Sequence, residues 1–168
     1  MTMQYDVKTS HLSGSGLMVS GRVRLKNLIY LGTGTAGGID LFDTTTAPVA
    51  ATYARSGYTV TVTSTAHGLV TGQNIGITFS PASSVSATAG NYVVTKLTND
   101  TFTITDLNTG TIAAGTACIF STGKWLGGYN TSTGVQPFQV IVPGEGVLAQ
   151  SGIYAVVTNI VFQTVTYG

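Results

Sequence analysis

The sequence predicts an all-β protein: a β-sandwich of jelly-roll type that carries a small inserted β-barrel. Three observations lead there. Apolar residues recur with period 2 along the chain, and no window sustains a helical period. Only 8% of the 168 residues are charged, against about a quarter in a typical soluble protein. The missing charge is replaced by Thr, Ser, Gly and Asn, which suit pleated sheets joined by many turns.

The elements follow in order. Residues 1–16, MTMQYDVKTSHLSGSG, are polar and end in a Ser-Gly repeat, which predicts a flexible arm. In GRVRLKNLIYLG, strict alternation places Val23, Leu25, Ile29 and Leu31 on one face and Arg22, Arg24 and Lys26 on the other. YTVTVTST sets Tyr58, Val60 and Val62 against Thr59, Thr61 and Thr63. NIGITF groups Ile75, Ile77 and Phe79, TFTIT pairs Phe102 with Ile104, and PFQVIVP aligns Phe138, Val140 and Val142. The end of the chain, GIYAVVTNIVFQTVTYG, reads as two strands with a turn near Asn159. Short strands at this spacing, separated by Gly, Pro and Asn, are the pattern of sandwiches and barrels.

A change in composition divides the chain. Residues 57–121 form a Thr/Val-rich block flanked by loop-like TYARSG and STGKWLGGYNTSTG. About 65 residues can close a small barrel near the lower limit of independent stability. Residues 17–56 and 122–168 then join as the sandwich, with the block inserted at a loop.

Charge and motifs narrow the function classes. A net charge of +1 exerts little pull on nucleic acid or anionic membrane. A weakly charged surface favours association instead. No stretch approaches the roughly 20 apolar residues that span a bilayer. The first residues lack the basic and apolar regions of a secretory signal, so synthesis in a cytoplasm is expected. Cys118, the single cysteine, stands in the apolar stretch TACIF and reads as a small buried hydrophobe.

LIYLGTGTAGGIDLFD, residues 28–43, spells GxGxxG through Gly32, Gly34 and Gly37. The dinucleotide loop needs a helix N-terminus after its glycines to receive the pyrophosphate. IDLFDTTTAP supplies β-branched and aromatic residues, threonines and a proline, so no helix follows. Asp40 and Asp43 come too early to hold a ribose. The stretch is expected to be a Gly/Thr hairpin tip.

His67, in STAHGLVTG, is expected to stabilise a turn, and His11 lies in the arm. The six carboxylates, Asp6, Asp40, Asp43, Asp100, Asp106 and Glu145, never take calcium-loop spacing. No nucleophile elbow appears, and no catalytic, metal-binding or cofactor-binding residue is assigned; the protein is read as not an enzyme. Arg22, Arg24 and Lys26 form a basic stripe, either the solvated face of an edge strand or a dock for an acidic protein surface. Trp125, Tyr129 and Tyr58 are either packed aromatics or a platform for a partner or a sugar. NDT at Asn99 and NTS at Asn130 match glycosylation acceptors, but without a secretory signal they read as chance matches.

Two stretches carry a resemblance. YTVTVTSTAHGLVTGQNIGITF, followed by GNYVVTKLTNDTFTIT, resembles a small β-barrel repeat module of phage tail and virion proteins. That module is related in sequence to the first catalytic-cysteine half-domain of ubiquitin-activating enzymes. In phage proteins it is structural, and Cys118 matches no motif for ubiquitin chemistry. The outer segments, through the Gly/Thr turn, Pro143–Gly146, Gly152–Tyr154 and Tyr167–Gly168, are similar to short β-sandwich virion proteins of tailed phages, marine and cyanobacterial ones above all. The resemblance implies a virion structural protein, multicopy or homo-oligomeric, bound to the major capsid protein or another virion protein. Capsid decoration (cement) is the leading expectation. A tail component (baseplate, adaptor or fibre) or a carbohydrate-binding host-recognition module is the alternative.

Overall fold

The computed structural model describes residues 7–80, 85–131 and 133–168. Residues 1–6 of the expected arm, 81–84 of the inserted block and Ser132 of the Asn130 acceptor site lie outside them. The described chain is all β-strand and turn, without a helix. The first strands are β1 (Lys8–Leu12), β2 (Gly16–Ser20), β3 (Val23–Gly32) and β4 (Gly37–Asp43). Next come β5 (Val49–Thr63), β6 (Asn74–Phe79), β7 (Gly90–Val93), β8 (Thr95–Lys96) and the long β9 (Thr101–Ser121). The last are β10 (Trp125–Thr131), β11 (Pro137–Ile141), β12 (Val147–Ala149), β13 (Gly152–Thr158) and β14 (Ile160–Tyr167).

The strands divide into two compact units, Met1–Ala47 with Leu126–Gly168, and Pro48–Trp125. The first unit holds two antiparallel sheets. One has the order β1-β14-β3-β11, with β12 also on β3; the other is β10-β4-β13-β2. Leu25, Leu28, Tyr30 and Val165 from the first sheet meet Met18, Ile39, Leu41, Ile153 and Ala155 from the second in one buried cluster. This is the arrangement of a sandwich core, in which each fully buried Leu or Ile contributes about 1.5–3 kcal/mol of hydrophobic free energy.

The second unit is one antiparallel sheet of order β5-β9-β6-β7, with β8 beside β9. It wraps a separate core of Tyr53, Val60, Val62, Leu69, Ile75, Ile77, Phe102 and Phe120. Among the described residues its pairing path is open, with β5 and β7 at its ends, so no closed barrel is seen. Residues 49–56, which the composition assigns to the sandwich, are the first half of β5 and pair with the far half of β9.

Local readings change in three places. Lys8–Leu12 is not part of a loose arm: it pairs with Gln163–Tyr167. The His11 ring lies tilted against that of Phe162, 5.4 Å between centroids, and its Nδ1 lies 2.9 Å from the Thr164 hydroxyl. The alternation on β3 breaks between Leu25 and Leu28, because Thr166 pairs with Asn27 and Tyr167 with Leu25, which leaves Lys26 unopposed. This bulge reverses the faces: Leu28 and Tyr30 enter the core, and Ile29 and Leu31 are half-buried. A second irregularity, between Gly57 and Thr59, turns Tyr58 outward, 56% exposed, away from buried Val60 and Val62.

Candidate functional site

The glycine-rich stretch is not a hairpin tip. Its flanking strands, β3 and β4, belong to different sheets of the first unit, so residues 33–36 form a corner between layers. A second corner, at Asn159, joins β13 to β14 in the same way, and the two corners bind each other. Thr33 N–H donates to the Asn159 carbonyl at 3.0 Å, and Asn159 Nδ2 donates to the Ala36 carbonyl at 2.8 Å. Gly34 takes φ +94°, which glycine adopts without strain. Gly37 is required for a different reason: a Cβ there would overlap the Thr158 carbonyl oxygen. Its N–H donates to Thr131 Oγ1 at 3.0 Å. Gly37–Asp43 continues as a strand rather than a helix, and Gly37 brings backbone against backbone.

Asp43 ends that strand, 7% exposed. Its carboxylate accepts N–H bonds from Ser151 at 2.7 Å, Gln150 at 2.9 Å and Gly152 at 3.3 Å. Three successive amides converging on one carboxylate pin the turn between β12 and β13.

The basic stripe lies on a central strand, not an edge, because β3 pairs with β14 on one side and with β11 and β12 on the other. Its side chains serve the Pro143–Gly146 turn. Lys26 Nζ donates to the Glu145 carbonyl at 2.8 Å and lies 3.4 Å from that of Gly144. Arg24 Nε stands 3.7 Å from the exposed Glu145 carboxylate. Arg22 is exposed on the bend before the strand. With Val23, Arg24, Leu148 and Gly168 it lines an open recess of about 190 Å³.

The expected aromatic group does not act as one set. Trp125, half-buried, ends the second unit, and the Asn91 side chain grips its backbone, accepting from its N–H at 2.7 Å and donating to its carbonyl at 3.0 Å. Tyr129, in the first unit, packs partly buried against the sandwich core. Tyr30, stacked on Phe138 at 5.4 Å, has its phenol pKa raised by burial and then by Tyr129. Tyr58 remains exposed.

His67 stabilises its turn as expected. Its Nδ1 accepts from Leu69 N–H at 3.0 Å, and Nε2 lies 3.2 Å from the Thr98 carbonyl. An Nδ1 that accepts places the proton on Nε2, which then donates to Thr98. Cys118 is buried and unpaired, and burial pushes its thiol up to about 12.

The most elaborate polar cluster, centred on Arg55 and Asp106, was not legible in the sequence. Arg55 Nη2 meets Asp106 Oδ2 at 3.1 Å with both side chains fully buried. Arg55 also donates from Nε to Gly57 O at 3.1 Å, from Nη1 to Val85 O at 2.7 Å and Ser86 O at 3.0 Å, and from Nη2 to Asn108 O. Every guanidinium donor is thereby occupied. Asp106 accepts from Thr88 N at 3.0 Å, Leu107 N at 2.7 Å and Tyr92 Oη at 3.3 Å. Burial first, then the Asp106 charge, pushes the Tyr92 phenol up to about 12. The one signal in the sequence was a charge standing alone in a Thr/Val strand of a charge-poor chain. The cluster anchors 85–88 to the bulges of the β5–β9 ladder, and its atoms are committed to one another rather than to a ligand.

Among the described residues no group of His, Cys, Asp and Glu could hold a metal ion. Among the same residues no helix is long and apolar enough to cross a membrane. No family model matches the chain and no curated protein matches it, so the two resemblances stand on their quoted residues.

Proposed function

We propose that this protein is a structural component of a bacteriophage virion, foremost a capsid decoration protein that binds the head shell in many copies. The observation that carries the reading is how its polar side chains are employed. Arg55, Asp106, Asp43, Lys26 and His67 all bond to backbone groups of their own chain. They stiffen turns and bulges, as a load-carrying scaffold requires, while the charge-poor surface suits multivalent apolar and hydrogen-bonded contacts. The resemblance of both segments to tailed-phage proteins supplies the particle.

Quantitative mass spectrometry of purified particles tests it. Copy number in step with the major capsid protein supports decoration. A small number matching tail symmetry moves the protein to the tail, and absence from particles overturns both. Exposed Tyr58 favours a second reading, sugar recognition; a glycan array positive for the isolated protein and lost in Tyr58→Ala would support it.

A further inference from the structure

We infer that the free edge of β5 is a self-association surface, on which a second copy of this chain adds its own β5 antiparallel across Thr59–Thr63. The inference deepens the multicopy reading but rests on backbone geometry alone, so it can fail or stand independently of any virion.

Among the described residues β5 pairs with β9 only, which leaves its other side open over a strand of 15 residues. The direction of each backbone group on this strand can be read from its neighbours. Ser64 N–H donates to the Asp100 carbonyl at 2.9 Å, next in register to Thr63 opposite Thr101. Bonded and non-bonded pairs alternate in an antiparallel ladder. Val62 and Val60 therefore turn their N–H and C=O groups toward β9, and Thr63, Thr61 and Thr59 turn theirs away. The partners agree: the Thr101 carbonyl accepts from Leu97 and Thr98, and Thr103 pairs with Thr95 of β8, both on the side of β9 away from β5.

Edges of this kind template pairing with another chain unless blocked by charge, proline, bulges or short length. Among the described residues, four of the five other path ends have such blocks; the fifth, β10, has no Pro or charged residue. β1 carries Lys8 and His11, β11 opens on Pro137, β2 faces a register shift, and β7 has 4 residues. β5 contains no Pro or Lys, and its one charge, Arg55, is committed to Asp106 in the core. The β5–β9 irregularities stop at Thr59, so Thr59–Thr63 is a regular run with Thr59 and Thr63 exposed.

A second copy fits this edge on symmetry and charge. The outward residues are centred on Thr61, so antiparallel self-pairing sets Thr61 against Thr61 of the second copy and Thr59 against Thr63 of the second copy. Each pair can then exchange both backbone bonds, and the contact closes as a two-fold dimer. Thr59–Thr63 itself brings no charge to the pairing. The threonines of β5, which already face Thr101, Thr103 and Thr105 across the ladder, would continue into a broader Thr-covered sheet, and cross-strand Thr pairs are favourable.

Sedimentation equilibrium over a concentration series, on the full chain, tests the inference. The parent chain is expected to dimerise reversibly. Thr61→Pro removes an outward N–H without touching the β9 ladder, so it should keep the parent's circular dichroism spectrum and weaken the dimer at least about tenfold, or 1.4 kcal/mol. Should that variant misfold, a charge pair decides. Thr61→Lys and Thr61→Glu, each opposed by its own copy, should be monomeric alone, and an equimolar mixture should dimerise, less so at high salt. A parent that stays monomeric throughout, a folded Thr61→Pro chain that associates like the parent, or Lys and Glu variants that associate equally well alone and mixed, overturns it.

Discussion

Arg55 Nη2 and Asp106 Oδ2 lie 3.1 Å apart with neither side chain exposed to solvent; backbone carbonyls take the remaining Arg55 donors, and two backbone amides and the Tyr92 hydroxyl donate to Asp106. Breaking one half of such a pair leaves an uncompensated buried charge, which costs about 3–5 kcal/mol. Asp106→Ala and Arg55→Ala are each expected to lower unfolding free energy by that amount in urea titrations. A double replacement with apolar residues of similar volume should cost less than the sum of the two, because it strands no charge. Additive losses would show that the two groups are not coupled.

The contact between Gly37 and Thr158 makes a second prediction. Gly37→Ala forces a Cβ into the Thr158 carbonyl and must displace the corner, so a loss of about 2 kcal/mol or more is expected. Gly14→Ala, where nothing lies within 4 Å of the new Cβ, is the control and should melt close to the parent. A Gly37→Ala protein with unchanged thermal stability would mean that the two corners are not packed as described.

Stability should fall at alkaline pH. The Cys118 thiol is raised from 9.0 to about 12 by burial, so the folded chain holds its proton where the unfolded chain releases it. That contribution is complete below pH 9 and is lost as pH rises through about 12, with a slope of at most about 1.4 kcal/mol per pH unit. Tyr92, raised from 10.0 to about 12, adds to the decline above pH 10, reduced by its partial exposure. Cys118→Ala should flatten the curve between pH 9 and 10. Rapid labelling of native Cys118 by a disulfide reagent at pH 8 would contradict its burial.

The His67 turn offers a local test. Removing the imidazole by His67→Ala leaves Leu69 N–H without its acceptor, which should cost about 1 kcal/mol. Amide exchange at Leu69 should speed up while exchange at Val60 and Val62 changes only with global stability. Unchanged protection at Leu69 would assign the turn to the backbone and to Asp100, whose Oδ1 accepts from Ala66 N–H at 2.7 Å.

By itself the sequence determined the all-β class, the inward faces of Val60–Val62 and Phe102–Ile104, the turn at Asn159, the role of His67 and the absence of a helix after Gly37. These follow from period, β-branching and turn chemistry, which act between near neighbours. Tertiary structure alone decided which sheet each strand joins, and so that β3 and β4 meet at a corner rather than a hairpin. It also decided where bulges reverse a face, exchanging Leu28 and Tyr30 for Ile29 and Leu31 and turning Tyr58 outward. A bulge is set by the partner strand, whose register no local pattern carries. The same holds for Arg55 and Asp106: each is an ordinary charge until the β5–β9 ladder encloses both, and burial then makes their pairing obligatory.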